Sequence, residues 1–398
     1  MDSRTTDMNM PGVAALTFPL APGELARGRD IVAIETVIVD VPTTRRHRLS
    51  NTEVTVQSYV IVRVALADGT LGYGEAATLG GPRWAEESVE AIKANIDRYL
   101  APAILGQSVL AFEANQLAMQ KAASRNNAAR GGVDAALFDA AGKSLGLPAS
   151  QFLGGALRDR IEVLWALASG DADQEIAEAQ AKLAAREHRR FKIKLGFHSP
   201  ADDMVRLARI VEALPGCEII CDVNQGWSEA TAIRYLPLLA ELGVVLIEQP
   251  LLPGLVAATA RVAARSTIPI MTDEAAFTGP EIVAQAFAGA GSVYSLKLVK
   301  SSGLLELKRA AAIAQACGME LYGGCLLETA LEAAAHLAVF AGLPRLEWGC
   351  EHFGPNIVKT DLTNGEVVIR DFHIHCPQGP GLGVTINEAA LRSLARKV

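Results

Sequence analysis

The sequence predicts an α/β barrel of parallel strands joined to a smaller α+β unit. From Ile161 onward, eight short apolar runs alternate with Ala-rich amphipathic spacers, the texture of a parallel barrel. Upstream, strand-like runs come first and helical patterns after them, the order of an α+β domain. The length of 398 residues, 50% of them hydrophobic, supports a core large enough for both.

Residues 1–30 mix Pro, Gly, Thr and Ala without periodicity and read as an N-terminal extension. Ile31–Val41, Thr55–Leu66 and Leu71–Ala76 are β-rich, with a turn at Asp68-Gly69 before the third. Between the first two, Pro42–Val54 reads as a long loop carrying Arg45, Arg46, His47 and Arg48. Such a cluster is commonly a solvated loop, and a loop beside an anion site uses the same residues. Helical patterns follow at Arg83–Tyr99, Ala111–Ala123 and Gly131–Leu145, the last ending at Gly146 before Pro148. These elements define an α+β domain over 31–160.

The barrel is expected over 161–365. Its runs are Glu162–Ala168, Phe191–Leu195, Glu218–Val223, Val244–Glu248, Ile268–Asp273, Ser292–Leu298, Glu320–Tyr322 and Arg345–Trp348. The tail, 366–398, returns to strand and turn patterns over Glu366–Cys376 and Gly379–Gly383. A last helix near Asn387–Arg396 follows, folding back on the first domain.

Composition excludes several function classes. A net charge of −7 argues against a nucleic-acid surface. No apolar run reaches the roughly 18 residues of a membrane-spanning helix, and the N-terminus lacks a basic-then-apolar leader pattern. The six cysteines form no CxxC pair, and Cys217 and Cys221 are followed by no spaced ligand pair. All six read as reduced thiols of a cytoplasmic protein.

The chemistry lies at the strand ends. Lys194 closes the second run, Asp222 the third, Glu248 the fourth and Asp273 the fifth, while Lys297 lies late in the sixth. Each follows the last by roughly 25 residues, about one βα unit. In a parallel barrel the C-terminal strand ends meet at one mouth, where active sites of this architecture lie. Three carboxylates with no His or Cys among them form a hard oxygen cage suited to Mg²⁺ or Mn²⁺. Lys192 and Lys194 share one strand face by the period of two, and like-charge repulsion is expected to lower the pKa of each. Lysines beside a cation that holds a carboxylate read as proton transfer at the neighbouring carbon. Lys300, Trp165 and the histidines other than His47 read as ordinary solvated or packing residues. Gly72-Tyr73-Gly74-Glu75 and Gly80-Gly81 read as turns, since no phosphate-binding glycine pattern opens a helix there.

Lys192-Ile193-Lys194, Asp222-Val223-Asn224-Gln225, Glu248-Gln249-Pro250, Asp273-Glu274 and Lys297 resemble the enolase superfamily, whose Lys-and-Mg²⁺ chemistry is general. Further segments narrow the resemblance to the muconate lactonizing subgroup, the muconate cycloisomerases. They are Ile38–Thr43, Ile92–Asp97, Leu167–Asp171, Leu321–Glu328, Arg370-Asp371-Phe372 and Pro380–Gly383. The resemblance runs from about Ile31 to the C-terminus.

It implies a modified (β/α)8-type fold, a (β/α)7β barrel with an α+β capping domain at its C-terminal face. It implies Mn²⁺ or Mg²⁺ on Asp222, Glu248 and Asp273, and a small dicarboxylate substrate, cis,cis-muconate or a substituted muconate. One substrate carboxylate closes a γ-lactone, and a lysine delivers a proton to carbon. By resemblance Lys194 is the acid/base, Lys192 tunes it, Lys297 faces it across the ring and Glu328 lies near the substrate. Arg45, His47, Arg48 and Asn224 are implied substrate contacts, with the cap loop Arg45–Asn51 closing over a dianion. The subgroup also implies a homo-octamer and a place in aromatic-compound catabolism. Two departures, Gly226-Trp227 and Cys325-Leu326, bear on ring substituent and stereochemistry.

Alternatives within the superfamily are an N-acylamino acid racemase and an o-succinylbenzoate synthase. A dipeptide epimerase is disfavoured because Trp348-Gly349-Cys350-Glu351 holds no Asp-x-Asp. A Schiff-base aldolase using Lys194 or Lys297 leaves the carboxylates without a role, and a non-catalytic barrel leaves the whole strand-end set without one.

Overall fold

The computed structural model describes residues 28–49 and 52–397. The extension expected at 1–30 thus falls almost wholly outside the described residues, as do Ser50 and Asn51 of the expected cap loop.

Strands β1 (Ile31–Arg48), β2 (Glu53–Leu66) and β3 (Leu71–Ala77) form an antiparallel meander. The loop expected over Pro42–Val54 is mostly strand. After an irregularity between Pro42 and His47, pairing resumes at His47 with Val54 and Arg48 with Glu53. The helical run expected at Arg83–Tyr99 begins only at Val89 and continues through a π-helical turn, Ile96–Leu100.

Helix Asn127–Leu145 is buried around most of its circumference, because it lies between this sheet and the barrel. Its contact with β3 explains Gly72 and Gly74, which are strand residues rather than turn residues. A Cβ at Gly72 would stand 2.4 Å from the Ala136 carbonyl oxygen, and one at Gly74 2.1 Å from that of Gly132. Glycine lets strand and helix backbones touch. Gly80 and Gly81 are turn residues with positive φ, as expected.

Strand β4 (Arg160–Glu162) pairs with the tail strand β13 (His373–His375), which in turn pairs with β12 (Val368–Arg370), so only the second half of the first expected barrel run enters the barrel. The barrel strands are β5 (Trp165–Leu167), β6 (Arg190–Lys194), β7 (Glu218–Asp222), β8 (Val244–Glu248), β9 (Ile270–Thr272), β10 (Val293–Leu296) and β11 (Glu320–Gly323). All seven are parallel and hydrogen-bonded in sequence order.

The eighth run, expected at Arg345–Trp348, is not a strand. The ring closes one step later, at Cys350, which bridges Val163 on one side and Gly323 on the other. Cys350 donates to the Glu162 carbonyl, and its own carbonyl accepts from Leu164 N–H, both at 2.9 Å. The modified (β/α)7β barrel is therefore closed by a single residue.

Below the mouth, Leu164, Ile220, Leu246, Met271, Val293 and Tyr322 pack as one apolar layer. The strand period of two then points Asp222, Glu248 and Asp273 inward above Ile220, Leu246 and Met271. Tail helix Glu388–Leu394 lies against the first sheet, where Tyr73 donates to Glu388 at 2.8 Å and Arg396 pairs with Asp40 at 2.6 Å. Among the described residues no helix is long and apolar enough to cross a membrane.

Candidate active site

Parallel pairing places Lys194 beside Asp222, and Asp222 beside Glu248. All of the strand-end residues are buried, Lys194 being the most accessible at 7%. Each carboxylate meets an ammonium, Lys194 Nζ to Asp222 Oδ2, Lys192 Nζ to Glu248 Oε2 and Lys297 Nζ to Asp273 Oδ2, each at 2.5 Å, and Lys300 Nζ also lies 3.3 Å from Asp273 Oδ1. The backbone past the strands is held in the left-handed region at Asn224, Gln225 and Gln249, with φ of 43°, 67° and 34°. Such non-glycine conformations persist only where surrounding contacts enforce them. Here the Gln249 side chain does so, accepting from Asp273 N–H at 3.0 Å and Ala275 N–H at 3.1 Å.

The charges do not titrate independently. Burial alone would raise the Asp222 carboxyl, but Lys194 and Lys192 hold it below the usual carboxylate range. Asp273 is likewise held down against burial, by Lys297 and Lys300. Glu248 goes the other way: burial and the Asp222 carboxylate push it well up.

Lys192 departs from expectation. Burial disfavours its charge, yet Glu248 and Glu351 raise its pKa well above the ordinary lysine value. The expected lowering by Lys194 is thus overridden by two carboxylates in direct contact. Lys300 is also not a solvated charge. It is 1% exposed, lies 3.0 Å from the Asp273 carbonyl, and is pushed down to about 8, mainly by burial.

Two further acids take part. Glu351 accepts from Lys192, from Tyr322 Oη–H at 2.8 Å and from Cys325 N–H at 2.9 Å. It follows the closing residue Cys350, and with no strand to mark its position the sequence carried no signal for it. Glu274 is buried with neither carboxylate oxygen partnered among the described residues, and burial with Asp273 and Asp222 pushes it up to about 7. Its adjacency to Asp273 was the available signal.

The cap supplies the roof. Trp84 lies 4.4 Å from Lys297 Nζ. Tyr59 Oη–H donates to the Leu327 carbonyl at 2.5 Å, Gln57 to that of Leu326 at 2.9 Å, and Glu75 accepts from Thr329 N–H at 3.0 Å. Together they clamp the turn that carries Glu328, where Leu327 has φ 62°. A Cβ at Gly324 would stand 2.5 Å from Lys297 Cε, so glycine there leaves room for the lysine.

The expected substrate contacts lie beside the mouth. Arg45 pairs with Glu178 at 2.6 Å and donates to the Ala166 carbonyl at 2.7 Å. Arg48 pairs with Glu53 at 3.3 Å. His47 is buried, and burial, Arg45 and the two lysines keep it neutral, so it adds no positive charge for a dianion. Asn224 Oδ1 accepts from Lys194 Nζ at 3.3 Å. The cysteines are free thiols, with Cys221, Cys325 and Cys350 buried.

The donor set fits a divalent cation. Asp222, Glu248 and Asp273 present only oxygen, at adjacent strand ends, with the unpartnered Glu274 carboxylate next to them. Among the described residues, though, these three do not gather their oxygens within 4.8 Å. Like charges separate, and each pairs with an ammonium.

Known proteins share this architecture. Residues 174–390 match the family described as enolase C-terminal domain-like, and residues 33–154 match the mandelate racemase/muconate lactonizing enzyme N-terminal domain. Muconate cycloisomerase 1 of Pseudomonas putida is 42% identical over 370 residues, covering 92% of this chain and 99% of that protein. A chloromuconate cycloisomerase of Delftia acidovorans is 40% identical, with the same coverage of both. The crystal structure of muconate lactonizing enzyme from Pseudomonas fluorescens complexed with muconolactone superposes with a TM-score of 0.91 at 41% identity, covering 93% of this chain and 100% of that one. A 2-chloromuconate cycloisomerase from Rhodococcus opacus 1CP gives 0.89 at 37%, covering 92% and 100%. With both domains matched and the strand-end lysines and carboxylates in place, this chain belongs to the muconate lactonizing enzyme subgroup of the enolase superfamily.

Proposed function

We propose that this protein is a divalent-metal-dependent cycloisomerase that converts cis,cis-muconate, or a substituted muconate, to the corresponding muconolactone. The observation that carries the reading is the pair of lysine stations, Lys194 on β6 and Lys297 after β10. They flank three buried strand-end carboxylates in a chain matched over 92% of its length by muconate and chloromuconate cycloisomerases.

The reaction is an isomerisation. An oxygen of one substrate carboxylate bonds to the γ-carbon, the π electrons shift toward the other carboxylate, and a proton adds to the carbon next to that carboxylate. Asp222, Glu248 and Asp273 would hold Mn²⁺ or Mg²⁺, which supplies positive charge against the negative charge developing on the substrate. Lys194 carries the proton at Nζ and delivers it to carbon. It is the most accessible of the lysines and has Asn224 to orient it. Lys192, locked between Glu248 and Glu351, sets the local charge. Lys297 opposes Lys194 across the ring, and Glu328 faces the substrate from the clamped turn. The cap roof excludes water, which strengthens each of these interactions.

We assign 31–160 and 366–398 to the cap and 161–365 to the barrel. A cytoplasmic homo-octamer and a role in aromatic-compound catabolism follow from the same reading. Incubation with cis,cis-muconate and Mn²⁺ in D₂O tests it. The conjugated-diene absorbance is expected to disappear, and NMR places deuterium in the lactone. No turnover of muconate or its chloro- and methyl- analogues would overturn the proposal.

A further inference from the structure

A buried polar cluster lies behind Glu328. Glu328, His336 and His352 each bring one ligand-type atom within 4.8 Å of the others, and none is more than 2% exposed. The group resembles a metal site, but His336 has no lone pair to give. Its Nε2 accepts from Leu298 N–H at 2.8 Å, and its Nδ1 lies 3.0 Å from the Glu332 carbonyl, so Nδ1 carries the proton.

His352 is different. Among the described residues neither of its ring nitrogens has a partner, and neither does Glu328 Oε2. The other carboxylate oxygen, Oε1, accepts from Leu326 N–H at 2.6 Å. A buried donor and a buried acceptor left unpaired are each costly. A His352 ring nitrogen lies within 4.8 Å of a Glu328 carboxylate oxygen, a gap that a small rotation or one bridging water closes. The two backbones are already locked together, since a Cβ at Gly354 would stand 1.9 Å from the Glu328 carbonyl oxygen.

We propose that His352 is a positioning residue for Glu328, its ring N–H donating to Oε2 directly or through one buried water. Burial, with His336 and Lys297 adding to it, keeps His352 neutral, so one ring nitrogen retains a proton to donate. Burial pushes the Glu328 carboxyl up to about 7, with Lys297 opposing and Glu351 adding. Glu332 and Glu75 are the other acids beside it, and Asp361 lies behind Glu75. A donated N–H favours the carboxylate against all of these acids. His352 thereby aims the free oxygen of Glu328 and keeps it ionised near neutral pH.

The catalytic meaning of the pair rests on the function proposed above, but its existence does not. The test is an infrared titration of the Glu328 carboxyl, isolated by difference against Glu328→Gln, in wild type, His352→Phe and His352→Gln. The midpoint is expected to rise by about one unit in His352→Phe and to return in His352→Gln, which restores an N–H. In parallel, the acidic limb of the kcat profile for cis,cis-muconate moves up in His352→Phe, with KM nearly unchanged. Equal infrared midpoints in all three proteins would overturn the proposal. Should His352→Phe not fold, the ¹⁵N ring resonances of His352 decide: they shift in Glu328→Gln if the bond exists, and unchanged resonances overturn it. A wild type that ignores muconate would sink the function while the infrared and nitrogen readouts still decide the pair.

Discussion

Glu351 and Glu248 both pair with the Lys192 ammonium, so a fully buried lysine is gripped by one acid from a barrel strand and one from the segment that closes the barrel. Removing one partner of such a buried set leaves a charge short of compensation, at a cost of about 3 kcal/mol or more. Glu351→Gln is therefore expected to lower Tm by several degrees and kcat by at least about tenfold. A thermal melt and steady-state kinetics check both, and an unchanged melt would show that Glu248 alone suffices.

Lys194→Ala removes the proposed proton carrier without touching the apolar layer below. A loss of a positioned acid/base of roughly 10²- to 10⁴-fold in kcat is expected, and Tm should fall as well because Asp222 loses its buried ammonium partner. Activity within threefold of wild type would move the role to another lysine.

Divalent metal should stabilise the fold as well as support turnover. At about a hundred times its Kd, a ligand specific for the folded state contributes about 2.7 kcal/mol. Tm should rise with added Mn²⁺, fall with EDTA, and respond far less in Asp273→Asn. An equal response in that variant would place the ion elsewhere.

Asp134 gives a pH signature remote from the strand ends. It is fully buried, and burial raises it to about 7, only partly offset by the Leu304 N–H it accepts at 2.7 Å and by Gln116. The folded chain thus keeps a proton that the unfolded chain has lost above its usual value of 3.8. This contribution is full below that value and declines as pH rises to about 7, by roughly 4 kcal/mol in all. Asp134→Asn should flatten that decline, seen as a larger Tm gain over wild type at pH 8 than at pH 4. Parallel pH profiles would refute the assignment.

Gly74→Ala forces a Cβ into the Gly132 carbonyl, a backbone contact that no side-chain rotation relieves. A cost of about 1–3 kcal/mol follows. The neighbouring Glu75–Thr329 clamp shifts with it, so kcat should fall along with Tm. A variant as stable as wild type would mean that the helix yields freely.

The strand-end set was legible in the sequence because a barrel turns two simple periods into geometry. Alternation puts Lys192 with Lys194, and repeated βα units bring Asp222, Glu248 and Asp273 to the same rim. Residues placed by irregular backbone were not legible. Glu351 and the closing Cys350 lie outside any run of alternating residues, so the seam was expected a few residues early. The charge on Lys192 is not legible because its sequence neighbour Lys194 is visible, whereas Glu248 and Glu351 meet it only in the folded chain. Lys300 looked solvated because nothing local shows that a helical turn tucks it under Asp273. The β1–β2 hairpin outran its expected end because Pro42 interrupts the pattern without ending the pairing.

The one-residue seam at Cys350 has a bearing on assembly. Cys350 joins Val163 to Gly323, and the very next residue, Glu351, pairs with Lys192. The site's charge pattern is thus tied to the closure of the barrel. An incompletely folded chain carries Lys192 without one of its counter-charges, and so cannot present a finished mouth. The seam acts as a checkpoint that couples reactivity to a complete ring.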